Sequence, residues 1–192
     1  MYIEHKLNER SSLIIKNKEM IIKSINEIGT VISNAISKNN KIMFCGNGGS
    51  AAESQHMAAE YCATLNHKNF RPGIPAISLT VDSSFLTAWT NDFGYLEVFS
   101  RQIEVLGNPG DVLICYSTSG NSKNIVKAIA TAKSMNIKVI LFTGNNNKLS
   151  FKKDCDYIFH APSSNTAFIQ EMHTIMGHEI CLSVENEFIN NL

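Results

Sequence analysis

The sequence predicts an α/β domain of three layers, in which a mostly parallel sheet of five strands is flanked by helices. Two features carry that expectation. Short apolar runs alternate with longer helical patterns, and each run is apolar on both faces and bounded by turn residues. Strands covered by helices on both sides of a parallel sheet have this character, because neither face meets water.

In chain order, the first element is the least ordinary. From about residue 4 to 38 there is no proline and one glycine, Gly29. Ile14, Ile21, Ile25, Ile28, Ile32 and Ile36 make one stripe at helical spacing, while Leu13, Ile15, Met20, Ile22 and Val31 carry apolar surface beyond it. A helix packed on one sheet needs a single apolar face. The spread therefore predicts a helix buried on two sides, the second being another subunit; a helix bent around its own domain is the plainer alternative. Strands are expected at "KIMFC" (41–45), "PAISL" (75–79), "DVLICYS" (111–117), "KVILFT" (138–143) and "YIFHA" (157–161). Helical stretches lie near 50–65, 84–106, 122–135 and 164–189. No repeat, low-complexity tract or linker divides the chain, so residues 1–192 are expected to form one domain.

Composition narrows the function classes. A chain of 192 residues with 44% hydrophobic and 18% charged residues is globular and long enough for a full core. Seventeen basic residues balance seventeen acidic ones, which gives no charged surface for nucleic acid or membrane. The five cysteines are scattered and form no Cys-x-x-Cys pair, as expected of free thiols in a reducing compartment. The charged start "MYIEHKLNERSS" lacks an apolar segment, and no stretch is long enough to cross a bilayer. A cytoplasmic protein is expected.

The chemistry concentrates in "CGNGGSAAESQHMAAE" (45–60). Gly46-Asn47-Gly48-Gly49-Ser50-Ala51 fits the dinucleotide pattern G-x-G-x-x-G/A after a strand and before a helix. That pattern also needs a carboxylate about twenty residues on, to hold the ribose. Neither "TLNHKNF" nor the end of the second strand supplies one, and no Gly-Lys-Ser/Thr follows, so no nucleotide cofactor is expected. What remains is a strand–turn–helix junction whose free N–H groups suit an anion or a polyol oxygen. On a purely structural reading Ser50 would be an N-cap worth about 1 kcal/mol.

A second junction, "STSGNS" (117–122), places Ser117, Thr118, Ser119 and Ser122 between a strand and the helix "KNIVKAIATAK". Hydroxyls beside helix-terminal amides bind phosphate without a lysine. Alone it would pass for a Ser/Thr turn capped by Ser122; two such junctions at the carboxyl ends of strands in one parallel sheet point to a ligand along that edge. His56 and Glu60 are four residues apart on the first of these helices and share a face, either as a solvated pair or as working groups. In the last helix Ile169, Met172, Met176, Ile180 and Val184 form the apolar stripe. His173 beside it reads as a hydrogen-bonded core histidine, whereas Gln170 and His178 lie off the stripe. A glutamate and a histidine near a phosphate site could move a proton alpha to a carbonyl.

These segments, with "RPGIPAISLTVDSSFLTAWTNDFGY", "KVILFTG" and "IQEMHTIMGH", resemble the sugar isomerase (SIS) domain family, and within it the bacterial phosphoheptose isomerases. The likeness runs from about residue 41 to 180. It implies a five-stranded parallel sheet, a homotetramer whose N-terminal helix serves oligomerisation, and isomerisation of sedoheptulose 7-phosphate to D-glycero-D-manno-heptose 7-phosphate. That step feeds heptose into surface polysaccharide such as lipopolysaccharide or capsule. By the same resemblance Glu60 and His178 are the acid/base pair, and His56, Glu60, Gln170 and His178 are zinc ligands. Asn47, Gly48 and Gly49, with Ser50, form the sugar loop. Asn91 and Asp92 contact substrate, and Ser117, Thr118, Ser119 and Ser122 cradle the phosphate.

Two positions depart from the family pattern. Thr64 and Phe168 stand where relatives carry arginine. Non-catalytic relatives that bind the replication initiator lack the histidine matching His178, and its presence here favours an enzyme; a module that senses a sugar phosphate without turnover is a third reading. One further expectation comes from helix geometry. Gln170 and His178 are eight residues apart, so on a straight helix their Cα atoms lie about 12 Å apart along the axis and about 80° around it. One of the two is then expected to reach the site from a neighbouring chain.

Overall fold

The computed structural model of the chain describes residues 1–68, 70–145 and 149–190. Five parallel strands run β1 (Ile42–Gly46), β2 (Ala76–Ser78), β3 (Val112–Tyr116), β4 (Lys138–Thr143) and β5 (Tyr157–His160). Their spatial order is β2-β1-β3-β4-β5. The three-layer parallel architecture is the one the alternating pattern predicts, and the expected strand ends shift by at most one residue.

Every strand residue from Ile42 to Gly46 and from Val112 to Tyr116 is buried. Successive side chains go to opposite faces, as the two-residue period of a strand requires. Ile42, Phe44, Ile114, Tyr116, Ile140, Phe142 and Phe159 join one core with helices α2 (Lys18–Ile36), α3 (Gly49–Cys62) and α7 (Thr166–Asn190). Met43, Cys45, Leu113, Cys115, Val139 and Leu141 join the other with α5 (Val98–Leu106) and α6 (Lys123–Ser134). Helix α4 (Ser83–Phe93) begins after Asp82, whose carboxylate accepts the Phe85 N–H at 2.9 Å.

Two expected helices are interrupted. The N-terminal segment is helical but divides into α1 (Tyr2–Lys16) and α2 at Asn17. There the Asn17 amide donates to the Leu13 carbonyl at 2.7 Å, a side chain competing with the backbone ladder. The α2 half buries Ile21, Ile28, Ile32 and Ile36, as the isoleucine stripe foretells. The α1 half buries nothing fully, and Tyr2, Ile3, Leu7 and Ile15 are exposed. The stretch expected at 84–106 breaks at Gly94, whose φ of +86° lies outside the helical region, and a 3₁₀ turn (Tyr95–Glu97) leads into α5. No helix among the described residues is long and apolar enough to cross a membrane.

Candidate active site

The strand order reverses between β1 and β3, because the chain steps outward to β2 and then returns to the other side of β1. Ligands of open α/β sheets bind in the crevice at that point, beyond the carboxyl ends of the strands. The glycine loop after β1 and the hydroxyl loop after β3 both open there.

The glycine loop is shaped by its neighbours. Gly48 takes the N-cap position of α3 with φ +57°, which disfavours any side chain. A Cβ at Gly49 would lie 2.7 Å from Gln170 Nε2, so the absence of a side chain there leaves room for the Gln170 carboxamide from α7. Ser50 is therefore inside the first turn of α3 rather than its cap; it is buried, and its carbonyl accepts the Ser54 hydroxyl at 2.8 Å. The cap reading of Ser50 is corrected accordingly. The Asn47 side chain turns toward α6 and bonds Asn124.

Helices α3 and α7 run side by side in the same direction, and their contacts form successive rungs. Gly49 faces Gln170. One turn on, Glu53 Oε2 accepts the Thr174 hydroxyl at 2.7 Å. One turn further, His56 Nε2 and His178 Nε2 are 2.8 Å apart. Glu60 closes this last group, its Oε1 3.7 Å from His56 Nδ1. One donor atom from each of His56, Glu60 and His178 falls within 4.8 Å of the others. Two imidazoles and a carboxylate form a donor set suited to zinc. The close pair of ring nitrogens is satisfied either by a proton on one of them or by a cation between them.

Gln170 does not join that group within the chain. It stands two rungs away, although it and His56 border one cavity of about 440 Å³ with Ser50, Glu53 and Thr174. The helix between Gln170 and His178 is unbroken, so the spacing worked out from sequence holds.

Glu53 is a site residue that sequence reasoning passed over. Burial raises its carboxyl pKa, and the Thr174 hydrogen bond and the nearby His56 and His178 only partly oppose that. Its Oε1 is buried without a hydrogen-bond partner among the described residues. The available signal was its position three residues before His56, on the same helical face. Arg71 and Glu185 were missed as well. Arg71 is fully buried and donates to Glu185 Oε1 at 2.8 Å, to the Glu60 carbonyl at 3.1 Å and to the Tyr61 carbonyl at 2.9 Å. It thereby satisfies the open carbonyls at the end of α3 and holds the backbone that carries Glu60. Glu185 also accepts the Leu65 N–H at 2.8 Å and the Asn66 N–H at 3.1 Å. Burial works to raise its pKa, but these bonds and Arg71 outweigh it and the carboxylate is lowered.

The departures from the family pattern have local partners. The Thr64 hydroxyl donates to Glu185 Oε1 at 3.1 Å. Phe168 is buried, with the Arg10 guanidinium from α1 5.9 Å from its ring centroid and paired to Glu171.

Beyond β3, Ser117 is buried and its hydroxyl donates to Ser122 Oγ at 3.3 Å. Ser122 is at the N-cap position of α6, yet its own side chain makes no capping hydrogen bond. The hydroxyl thus does not do the job that the simple turn reading assigns to it. Ser119 Oγ accepts the Asn121 N–H at 3.2 Å, and the Thr118 carbonyl accepts the Gly144 N–H at 3.0 Å. Asn91 and Asp92 lie exposed in the last turn of α4, bonded to each other at 2.8 Å. Tyr95, three residues beyond Asp92, reaches the glycine loop and donates to Asn47 Oδ1 at 3.0 Å. His173 is a core histidine as expected: it packs against Tyr116, Phe142 and Phe159, lies 3.4 Å from the Thr143 carbonyl, and burial lowers its pKa to about 4.

Comparison with known proteins supplies independent findings. Residues 6–144 match the SIS domain family. A phosphoheptose isomerase of Akkermansia muciniphila is 47% identical over 163 residues, 85% of each chain. One from Burkholderia pseudomallei is 42% identical over 168 residues, 88% of this chain and 84% of that protein. The solved structure of phosphoheptose isomerase GmhA from Neisseria gonorrhoeae superposes with a TM-score of 0.87 at 34% identity, covering 96% of this chain and 97% of the other.

Proposed function

The chain belongs to the SIS domain family, and we propose that it is a phosphoheptose isomerase, converting sedoheptulose 7-phosphate to D-glycero-D-manno-heptose 7-phosphate. The relatives, of whose length it covers 84–97%, carry that name. The observation that carries the reading to this chain is the approach of His178 to His56 and Glu60. The presence of His178 in this group favours the enzyme over a non-catalytic regulator.

The reaction moves one proton between adjacent carbons. A base removes a C1 proton of the ketose while an acid protonates the C2 carbonyl oxygen, which gives an enediol. Loss of the O1 proton and return of a proton to C2 then gives the aldose. Glu60 and His178 are the two groups for these transfers, on opposite helices and within reach of one bound carbon chain. Their lone pairs are also candidate zinc ligands, with His56 and with a glutamine matching Gln170. Zinc bound there would supply Lewis-acid polarisation of the carbonyl. Ser117, Thr118, Ser119 and Ser122, with the N-terminal amides of α6, receive the 7-phosphate. Asn91 and Asp92 approach substrate from the exposed end of α4. The exposed apolar residues of α1 and α2 are the candidate surface for a second copy; the homotetramer is inferred from the family resemblance, and in it Gln170 of one copy would serve the site of another. The whole chain acts as one SIS domain in the cytoplasm.

Turnover of sedoheptulose 7-phosphate by the purified protein tests the reading. Glu60→Gln and His178→Asn should each lose roughly 10²–10⁴ in kcat while keeping the fold. Wild-type kcat in either variant would remove that residue from the chemistry, and an inactive wild-type protein would return the regulator.

A further inference from the structure

The two loops that receive opposite ends of the substrate follow neighbouring strands but leave the sheet on opposite faces. Backbone pairing between β1 and β3 ends at Gly46 and Tyr116. Beyond that point the loops are joined by a pair of carboxamides. Asn47 Nδ2 donates to Asn124 Oδ1 at 2.9 Å, and Asn124 Nδ2 donates to Asn47 Oδ1 at 2.9 Å. Each oxygen has a second donor, the Ile125 N–H at 3.0 Å on Asn124 and the Tyr95 hydroxyl at 3.0 Å on Asn47. The Ile125 backbone donor settles which end of the Asn124 amide is oxygen, and the reciprocal bonds then settle Asn47. Asn124 is buried, 6% exposed, in the first turn of α6.

We propose that Asn124 and Tyr95 are positioning residues which, with Asn47, clamp the glycine loop to the phosphate-binding helix and set the span between the substrate's reacting carbons and its phosphate. The proposal rests on the isomerase reading. Asn47 then serves the sugar loop by holding it, because its carboxamide oxygen is already committed to two donors. A substrate anchored by a remote phosphate transmits that anchor to the reacting carbons only if the two loops keep a fixed separation. A misplacement of about 1 Å can cost on the order of 10²-fold in rate.

The test uses Asn47→Ala, Asn124→Ala, their double variant and Tyr95→Phe in the full chain. It reads kcat and KM for sedoheptulose 7-phosphate, the dissociation constant of inorganic phosphate by calorimetry, and the urea unfolding midpoint. Asn124→Ala should lose about 10- to 100-fold in kcat yet bind inorganic phosphate within about twofold of wild type, because the cradle hydroxyls are untouched. The double variant should be no worse than Asn47→Ala in kcat or in unfolding midpoint, as for two partners of one interaction. Tyr95→Phe removes one bond without disturbing the fold and should lower kcat by about three- to tenfold. Independent, multiplying losses in the double variant would overturn the clamp, as would phosphate affinity falling in step with kcat or unchanged kcat in Asn124→Ala. The unfolding cycle needs no substrate. It judges the Asn47–Asn124 coupling even if the wild-type protein turns over nothing and the isomerase reading falls.

Discussion

Gln170 and His178 lie on one unbroken helix, about 12 Å apart along its axis by the rise of 1.5 Å per residue. The Glu53–Thr174 rung separates them. Zinc ligands stand only about 2.0–2.3 Å from the ion, so one chain cannot bring both to one metal. A site that uses both takes the glutamine from a second copy. The perturbation is a pair of inactive variants, Gln170→Ala and His178→Asn, mixed under subunit exchange. Gln170→Ala chains keep His56, Glu60 and His178 intact, and His178→Asn chains keep a glutamine to lend. With equal amounts and random reassociation, half the sites hold the intact group and half of those meet a competent glutamine, so about a quarter of wild-type activity should return. Glu60→Gln mixed with His178→Asn is the control. Both residues belong to the same chain's group, so no mixture rebuilds it and activity should stay absent. Isomerisation is assayed on oligomers verified as mixed by native mass spectrometry. No recovery in the first mixture, or recovery in the control, refutes the shared site.

Other outcomes follow from the same geometry. Ser119→Ala and Ser122→Ala should each raise KM for the 7-phosphate substrate by about tenfold and leave kcat near wild type, since a lost bond to a remote charged group weakens ground and transition states alike; early melting with unchanged KM would make them structural. Protein purified without chelator should contain zinc by elemental analysis, lose turnover on chelation and regain it when zinc is restored; full activity in metal-free protein would rule out an essential metal. His173, lowered by burial to about 4 against 6.5 for the ordinary group, stays neutral in the fold while the unfolded chain protonates. Stability should therefore fall as pH drops from about 6.5 to 4, by about 3 kcal/mol from this group, and His173→Gln should flatten that limb in urea titrations. Arg71→Met leaves Glu185 buried without its cation and should cost about 3–5 kcal/mol of unfolding free energy, part of which Arg71→Met/Glu185→Leu should restore; an unaffected single variant would mean that the pair does not hold the end of α3.

Much of the fold was legible because it is written in local periodicity. Doubly apolar runs gave β1, β3 and β4, and the isoleucine stripe gave the buried face of α2. The interruptions at Asn17 and Gly94 were not legible, since one asparagine or glycine in a helical pattern is compatible with either continuation or a break until packing chooses. At the site, His56 and Glu60 could be placed together from their spacing of four, which lies on a single helix. Their meeting with His178, 118 residues after Glu60 by numbering, could not.

By itself, then, the sequence determined the layer architecture, the two loops at the sheet edge, the family likeness and the chemical types of the acting groups. All of these depend on neighbours within a few residues or on motifs that survive as strings. Tertiary structure alone decided that α3 and α7 run in the same direction in a register pairing Gly49 with Gln170, Glu53 with Thr174 and His56 with His178. It also decided that Asn47 is held by Asn124 and Tyr95, and that Arg71 and Glu185 secure the helix end beneath Glu60. The physical reason is that helix register depends on which small side chains permit close approach, and buried polar groups must find partners wherever the fold brings them. Those partners lie far along the chain, where no local pattern records them.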